Sequence, residues 1–304
     1  MNADRQGNAA AMSTVITGAS GQLARRAAEH VFEKYRPDRL ILVTRRPDSV
    51  ADLAARGAEA RFGDFADPAS LRAAFAGAKR MLFVSNTDLA RRNEQHSAAV
   101  DAAAAAGVEH VVYTSIVGAD PPNPAVVAPG HHFTEQALKR SGMKWTMLRN
   151  SLYADYQVPE ATRALEARRF VHNRGAGRIA YVARDDCAAA AAAVLMEGGH
   201  VGTIYDVTGP HAFDAVELAA LYSEVGGHKV EPVALDDETF ISGIVAARSG
   251  DDHARYGAEL VASFGRAIRE GYLASCTDIV ARLTGKPART LREVLTAKLS
   301  PAKS

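Results

Sequence analysis

Residues 14–24 read TVITGASGQLA, and this short stretch decides the fold. The β-branched run Thr14–Thr17 predicts a strand that passes directly into Gly18, and a helical pattern begins within the same stretch. Gly18 permits a tight turn, Gly21 lets the backbone approach a bound group, and Ala24 allows close packing of helix on strand. This spacing also occurs in ordinary tight turns. Because it follows a strand and opens a helix, whose N-terminus attracts anions, it predicts a loop that binds nucleotide phosphates.

The same order, a short β-branched strand followed by a longer Ala- and Leu-rich helix, repeats along the first half of the chain. This alternation predicts an α/β fold, with a doubly wound parallel sheet of the Rossmann type. The predicted strands are 13–17, 40–44, 58–62, 80–84, 108–114 and 144–148. The predicted helices are 22–35, 49–56, 68–75, 92–106 and 132–141.

Beyond about Asn150 the regular alternation ends. The patterns that follow predict helices at 154–168 and 185–196, short strands at 179–182 and 204–208, and mostly helix from 215 to a last helix at 290–299. We expect a disordered tail at 1–12 and a Rossmann domain at 13–152 with returning segments near 177–209. A smaller, mainly helical substrate-binding lobe is expected to comprise 153–176 and 210–304.

Composition excludes several classes of protein. Of the 304 residues, 47% are hydrophobic, which is enough for a large core, and 36 Lys and Arg against 35 Asp and Glu leave no basic excess to bind nucleic acid. Cys187 and Cys276 lack metal-ligand spacing, so we expect no metal site and a reducing cytoplasm. The apolar runs are shorter than the roughly 20 residues of a membrane span. Residues 1–12 contain no apolar signal-peptide segment.

The end of the second predicted strand indicates which dinucleotide binds. An acidic residue there usually accepts from a free ribose 2′-hydroxyl, whereas an arginine accommodates a 2′-phosphate. Here Val43-Thr44 is followed by Arg45 and Arg46, and the first acid is Asp48. Two guanidinium groups can pair with a phosphate through two hydrogen bonds each, which favours NADPH over NADH. The alternative is that both arginines are ordinary solvated surface charges.

Two further segments are candidates for cofactor binding. Asp64 and Phe65 follow the third strand, where Asp64 can accept from an adenine amino group; it can equally be a helix cap. Ser85, Asn86 and Thr87 follow the fourth strand, at the carboxyl edge of the sheet where ligands of this fold bind.

With these pieces assembled, the chain resembles the NmrA-like family of atypical short-chain dehydrogenases/reductases. Within that family it is similar to the bacterial NADPH-dependent quinone reductases and triphenylmethane reductases. The resemblance rests on segments spread from Thr14 to Leu299, namely ITGASGQL (16–23), VTRRP (43–47), GDF (63–65), AAAGV (104–108), VYTS (112–115), HxxTE (131–135), TMLRN (146–150) and LTGKP (283–287). It implies that Gly18, Ala19, Ser20, Gly21, Gln22, Leu23 and Thr114 contact the cofactor. The family's usual glycine is Ala24 here, which implies slightly looser helix packing but leaves cofactor binding in place.

The chain lacks the acid that ordinary short-chain dehydrogenases use. Ketone reduction forms a strongly basic alkoxide, and a Tyr-x-x-x-Lys pair supplies its proton. None of the nine tyrosines is followed four residues later by lysine. By resemblance, Val127 stands at the tyrosine position and His131 at the lysine position. The chain is therefore a non-catalytic NADP(H)-binding redox sensor, or it reduces an acceptor whose product anion is stable. A quinone meets that condition because its product is a phenolate whose conjugate acid has a pKa of about 10. A dye, an imine or an activated ketone is a third alternative.

His131, Asn150 and Tyr153 are the candidate catalytic residues, with Tyr156 beside them. His131 can donate to the acceptor or bond the nicotinamide ribose; it can also be a surface or helix-cap histidine, and the adjacent His132 complicates the choice. Asn150 ends the sixth strand, where it can orient a substrate, and the tyrosines are either pocket walls or core aromatics. The expected substrate is a small, quinone-like molecule. The sequence leaves open whether the chain forms a homodimer.

Overall fold

A computed structural model gives the structure of the chain and describes residues 13–35, 39–248 and 251–299. Its centre is a parallel sheet of seven strands, which are β1 (Thr14–Thr17), β2 (Leu40–Thr44), β3 (Glu59–Phe62), β4 (Arg80–Phe83), β5 (His110–Ile116), β6 (Lys144–Asn150) and β8 (Thr203–Val207). These strands lie in the order β3-β2-β1-β4-β5-β6-β8. The strand order reverses between β1 and β4, so the doubly wound Rossmann prediction is confirmed. The tail expected at residues 1–12 lies outside the described residues.

Helices follow most strands, as parallel connections require. Two short 3₁₀ turns, Pro47–Val50 and Ala154–Tyr156, precede α2 and α6 respectively. The helices are α1 (Gln22–Lys34), α2 (Ala51–Ala54), α3 (Pro68–Phe75), α4 (Arg92–Ala105), α5 (Ala128–Arg140), α6 (Gln157–Ala167), α7 (Arg184–Met196), α8 (Ala215–Gly226), α9 (Asp237–Ala247), α10 (Ala254–Arg269), α11 (Ile279–Thr284) and α12 (Leu291–Leu299).

The two faces of the sheet carry separate apolar layers. In β1, Ile16 points into the layer formed by α1, α7 and α11, and the adjacent Val15 points into the layer formed by α3, α4 and α5. This alternation follows from the two-residue period of a strand. Because both faces are covered, every residue of β1, β2 and β5 is buried. Because the seven strands run parallel, their carboxyl ends lie along one edge of the sheet.

A third apolar cluster lies beyond this edge and includes residues of α6, α8, α10 and α12. A separate two-stranded parallel sheet joins β7 (Arg169–His172) to β9 (Glu231–Ala234), and neither strand is predicted from the sequence. The strand predicted at 179–182 is wrong. Ile179 and Val182 each form a single isolated bridge, to Phe213 and to Tyr153 respectively, so no ladder extends through the segment.

Helix α5 begins at Ala128, four residues before the start that the sequence predicts. Pro129 lies in the first turn, where its missing N–H removes no intrahelical bond. Among the described residues, no helix is both long enough and apolar enough to span a membrane.

Candidate active site

The loop between β1 and α1 forms the predicted tight turn. Gly18 has a φ of +64°, which glycine adopts without strain, and the Gly21 N–H donates to the Gly18 carbonyl oxygen at 2.8 Å. The Ala19 N–H donates to the carbonyl oxygen of Val43 at 3.0 Å, which joins the loop to β2. In the described part of the chain no side chain caps α1 at Gly21. The first N–H groups of this helix therefore point at the carboxyl edge without a side-chain acceptor.

The end of β2 lies against this loop. The Thr44 hydroxyl donates to Ser20 Oγ at 3.0 Å and accepts from the Arg46 N–H at 3.2 Å. Arg45 and Arg46 are both exposed, and neither guanidinium has a hydrogen bond or ion pair within the described residues. Two uncompensated positive charges thus flank the loop.

Asp64 and Phe65 follow β3 on the same edge. Asp64 Oδ1 accepts from the Ala66 N–H at 3.0 Å, whereas the cap of α3 is Asp67, which accepts from the Ala69 N–H at 3.1 Å. The alternative of Asp64 as a helix cap is therefore wrong, because Asp67 takes that place. The Phe65 ring packs edge-on to Phe83 with centroids 5.4 Å apart. Adenine contact by Asp64 and Phe65 stays a prediction.

The segment after β4 is held by β5 and α4. The Ser85 N–H donates to Thr114 Oγ1 at 3.0 Å, so these two candidate cofactor residues lie together. The Asn86 N–H donates to His96 Nε2 at 3.3 Å. Asn86 Oδ1 is buried and has no partner among the described residues. A buried amide oxygen without a donor costs free energy, so a donor group of a bound ligand would be favoured at this place.

His131 faces the sheet and is buried. Its Nδ1 shares a hydrogen bond of 2.9 Å with the Tyr113 hydroxyl. Burial, reinforced by the charge of Arg92 and by His96, holds the pKa of His131 well below its ordinary value of 6.5. The imidazole is therefore neutral at neutral pH. His132 is instead partly exposed, with Nδ1 3.5 Å from Asp120 Oδ1, so the two adjacent histidines have different surroundings.

Asn150 and Tyr153 lie together at the end of β6. Asn150 Nδ2 donates to the Tyr153 hydroxyl at 3.4 Å, while Asn150 Oδ1 and Ser151 Oγ are buried without partners among the described residues. Burial raises the pKa of Tyr153. The rings of Tyr153 and Tyr156 have centroids 5.9 Å apart, and Tyr156 is 59% exposed. Asn150, Ser151, Tyr153 and Tyr156 thus bring polar and aromatic groups together at the edge of the sheet.

Two arginines at this edge were missed by sequence reasoning. Arg184 Nη1 donates to Oε1 of Gln22, the first residue of α1, and its guanidinium lies over the Tyr153 ring, 5.0 Å from the centroid. Arg92 Nη2 donates to the Asn86 carbonyl at 2.5 Å, while its Nε and Nη1 are buried without partners in the described chain. No sequence signal marks either residue, because the groups they contact are brought near only by the fold.

These observations fit a dinucleotide at the carboxyl edge. The helix end without a side-chain cap and the two unpaired arginines suit phosphates, and the buried polar atoms of Asn86 and Asn150 lack partners that a ligand can supply. Two surface cavities of about 430 and 490 Å³ lie elsewhere, one lined by Tyr181, Phe213 and α12 residues and the other by residues of the β5–α5 segment. We locate the active site by the polar groups, because neither cavity contains any of them.

Comparison with known proteins identifies the family and the fold. Residues 18–198 match a family model described as NAD(P)H-binding. The chain is 33% identical to quinone oxidoreductase 2 of Escherichia coli over 91% of this chain and 96% of that protein.

Two solved structures are similar over the whole fold. One is NADPH-dependent quinone oxidoreductase of E. coli complexed with NADPH, with a TM-score of 0.89 and 32% identity. The other is triphenylmethane reductase of Citrobacter sp. complexed with NADP(H), with a TM-score of 0.86 and 34% identity. Each comparison covers 94% of this chain and 100% of the other.

Proposed function

Because this chain belongs to the NAD(P)H-binding family of oxidoreductases, we propose that it transfers a hydride from NADPH to a quinone or a similar conjugated acceptor. The observation that carries the proposal is the absence of an acid at the position where ketone reductases need one. His131, at the lysine position of the resemblance, is buried and neutral. An acceptor whose product anion has a conjugate acid of pKa about 10 needs no such acid.

We assign the cofactor by its parts. The phosphate-binding loop binds the diphosphate, and the paired arginines bind the 2′-phosphate. The segment after β3 binds the adenine, and the segment after β4 binds the nicotinamide half. The residues in that order are Gly18, Ala19, Ser20, Gly21, Gln22 and Leu23; Arg45 and Arg46; Asp64 and Phe65; and Ser85, Asn86, Thr87 and Thr114. When bound, NADPH supplies the hydride.

The protein's own contribution is orientation and exclusion of water. Asn150, with an unpartnered buried Oδ1 and an amide that reaches Tyr153, orients the acceptor or the nicotinamide amide. Tyr153 and Tyr156 form an aromatic wall that suits a planar, conjugated molecule. His131 acts as a neutral hydrogen-bonding group held by Tyr113.

The test is NADPH oxidation followed at 340 nm with a panel of quinones, triphenylmethane dyes, imines and activated ketones. We expect steady turnover with quinones. NADPH binding without turnover of any acceptor would instead identify a redox sensor, and turnover restricted to dyes, imines or ketones would replace the proposed substrate.

Three finer assignments belong to the same proposal. Residues 153–176 and 210–304 form the acceptor-binding lobe, and the Rossmann domain comprises 13–152 with 177–209. A reducing cytoplasm suits the two free cysteines, Cys187 and Cys276. A homodimer is proposed as the assembly, to be measured by light scattering coupled to size exclusion.

A further inference from the structure

Arg184 lies where two helix N-termini meet. It is the first residue of α7, and α7 packs along α1, whose first residue is Gln22. Both helices direct the positive ends of their dipoles toward the carboxyl edge of the sheet. A guanidinium at this place adds positive charge to two positive ends, so the local electrostatics favour an anion.

The guanidinium is held firmly. Nη1 donates to Gln22 Oε1 and, at 3.3 Å, to Asp155 Oδ1, and Asp155 Oδ2 accepts from the Arg184 N–H at 2.9 Å. The guanidinium carbon lies 5.0 Å from the ring centroid of Tyr153 and 5.2 Å from that of Tyr156. Only 13% of the side chain is exposed. Stacking on two rings restricts a guanidinium, so little conformational freedom is lost when it binds a ligand.

The neighbouring acids meet this demand for negative charge only in part. Within the described residues, Asp155 is the one carboxylate that contacts Arg184, and among the guanidinium nitrogens it contacts Nη1 alone. Asp185 accepts from Arg26 and Arg289 and bonds His30, while the Asp186 carboxylate accepts from Arg289. The acids in the first turn of α7 are thus already paired with cations of other segments.

We propose that Arg184 binds the diphosphate of NADPH, opposite the N–H groups of the phosphate-binding loop. This inference rests on the proposed function for the identity of the cofactor. Two N–H groups of a guanidinium can donate charge-assisted hydrogen bonds to two oxygens of one phosphate, and Gln22 places the guanidinium beside the helix end that receives the phosphates. The residue thus joins the cofactor to the aromatic wall of Tyr153 and Tyr156.

The test compares two ligands that differ in the diphosphate. NADPH contains it, whereas adenosine 2′-monophosphate carries only the adenosine and the 2′-phosphate. We measure the Kd of NADPH by its fluorescence and the Kd of adenosine 2′-monophosphate by displacement of NADPH. For Arg184→Met, we expect the Kd of NADPH to rise about tenfold to hundredfold and that of adenosine 2′-monophosphate to change less than about twofold. Arg45→Glu is the matched control and is expected to raise the Kd of both ligands.

Arg184→Lys keeps the charge but loses the planar donor pair, and we expect an intermediate NADPH affinity. It also serves if the methionine variant does not fold, which circular dichroism reports. Equal weakening of both ligands, or unchanged NADPH binding, in the folded variant overturns the role of Arg184. A wild-type chain that binds NADPH but reduces no quinone refutes the proposed function while the binding comparison still decides this inference. A wild-type chain that binds no NADPH overturns both.

Discussion

Arg45 carries a positive charge without a partner among the described residues, directly after β2. If it contacts the 2′-phosphate, its replacement by glutamate removes a charge-assisted hydrogen bond and adds repulsion. We expect Arg45→Glu to raise the KM for NADPH about tenfold to hundredfold, and the KM for NADH less than about threefold. Initial rates with both cofactors at a saturating quinone concentration measure this ratio.

Arg72 provides the control for that comparison. It is an exposed arginine on α3, and Arg72→Glu makes the same change in net charge away from the edge of the sheet. This variant should leave both KM values unchanged. Equal increases for NADPH and NADH in Arg45→Glu would mean that Arg45 does not contact the 2′-phosphate.

His131 also permits a prediction from its environment. Because burial, Arg92 and His96 keep its pKa well below 6.5, its ionisation should not appear in the rate between pH 6 and 8. We expect the profile of kcat/KM against pH to lack an inflection near 6.5, measured with a quinone that does not titrate in that range. His131→Gln should lower the rate and leave the profile's shape unchanged. An inflection near 6.5 that disappears in this variant would show that His131 is a proton-transfer group.

At the scale of elements, an ion pair joins β6 to α5. Arg149 donates to both carboxylate oxygens of Glu135 at 2.9 and 2.7 Å, and Ser115 on β5 donates to the same carboxylate at 2.6 Å. Glu135 is fully buried. Removing one partner leaves a buried charge unpaired, so Arg149→Met should lower the free energy of unfolding by about 3–5 kcal/mol, as measured by urea denaturation.

The double variant Arg149→Met with Glu135→Leu tests this reason for the loss. Removing both charges avoids the unpaired carboxylate, so most of the lost stability should return. If the double variant loses as much free energy of unfolding as Arg149→Met and Glu135→Leu lose together, the loss comes from packing and not from the unpaired charge.

The central sheet could be predicted because each strand and its helix are adjacent in sequence. Strand β2 was predicted at the residues where it occurs, and the other strands of the first half within two residues at either end. Strands β7 and β9 were missed because they pair with each other across 62 positions, from Arg169 to Glu231, and lie outside the regular alternation of the first half. The position of Arg184 beside Gln22 was missed for the same reason, since 162 positions separate them. Local periodicity describes elements, whereas these contacts depend on how the elements assemble.

Across the whole molecule, several histidines are buried where the fold holds them neutral. Burial, with the charge of Arg92, lowers the pKa of His96 to about 3; burial, with Arg80 and other cations, lowers that of His110 to about 4. His131 is lowered in the same direction. The unfolded chain binds a proton at each near pH 6.5, and the folded chain does not until the pH is much lower. Their contribution to stability is therefore complete above about pH 6.5 and is lost as the pH falls toward 4.

We therefore expect the free energy of unfolding to fall between pH 6.5 and 4 by up to about 1.4 kcal/mol per pH unit for each such histidine. Urea denaturation at half-unit intervals measures the slope. Carboxylates with lowered pKa values, such as Asp185 beside His30 and Arg26, lose their contribution mainly below about pH 4, so the histidines dominate the slope above that pH. His110→Gln supplies a control, because glutamine can still donate to Thr146 Oγ1, as His110 Nε2 does at 2.8 Å, without titrating. For this variant, the slope of the free energy of unfolding against pH should be smaller by the contribution of one histidine. An identical slope in both proteins would show that His110 is not neutral in the fold.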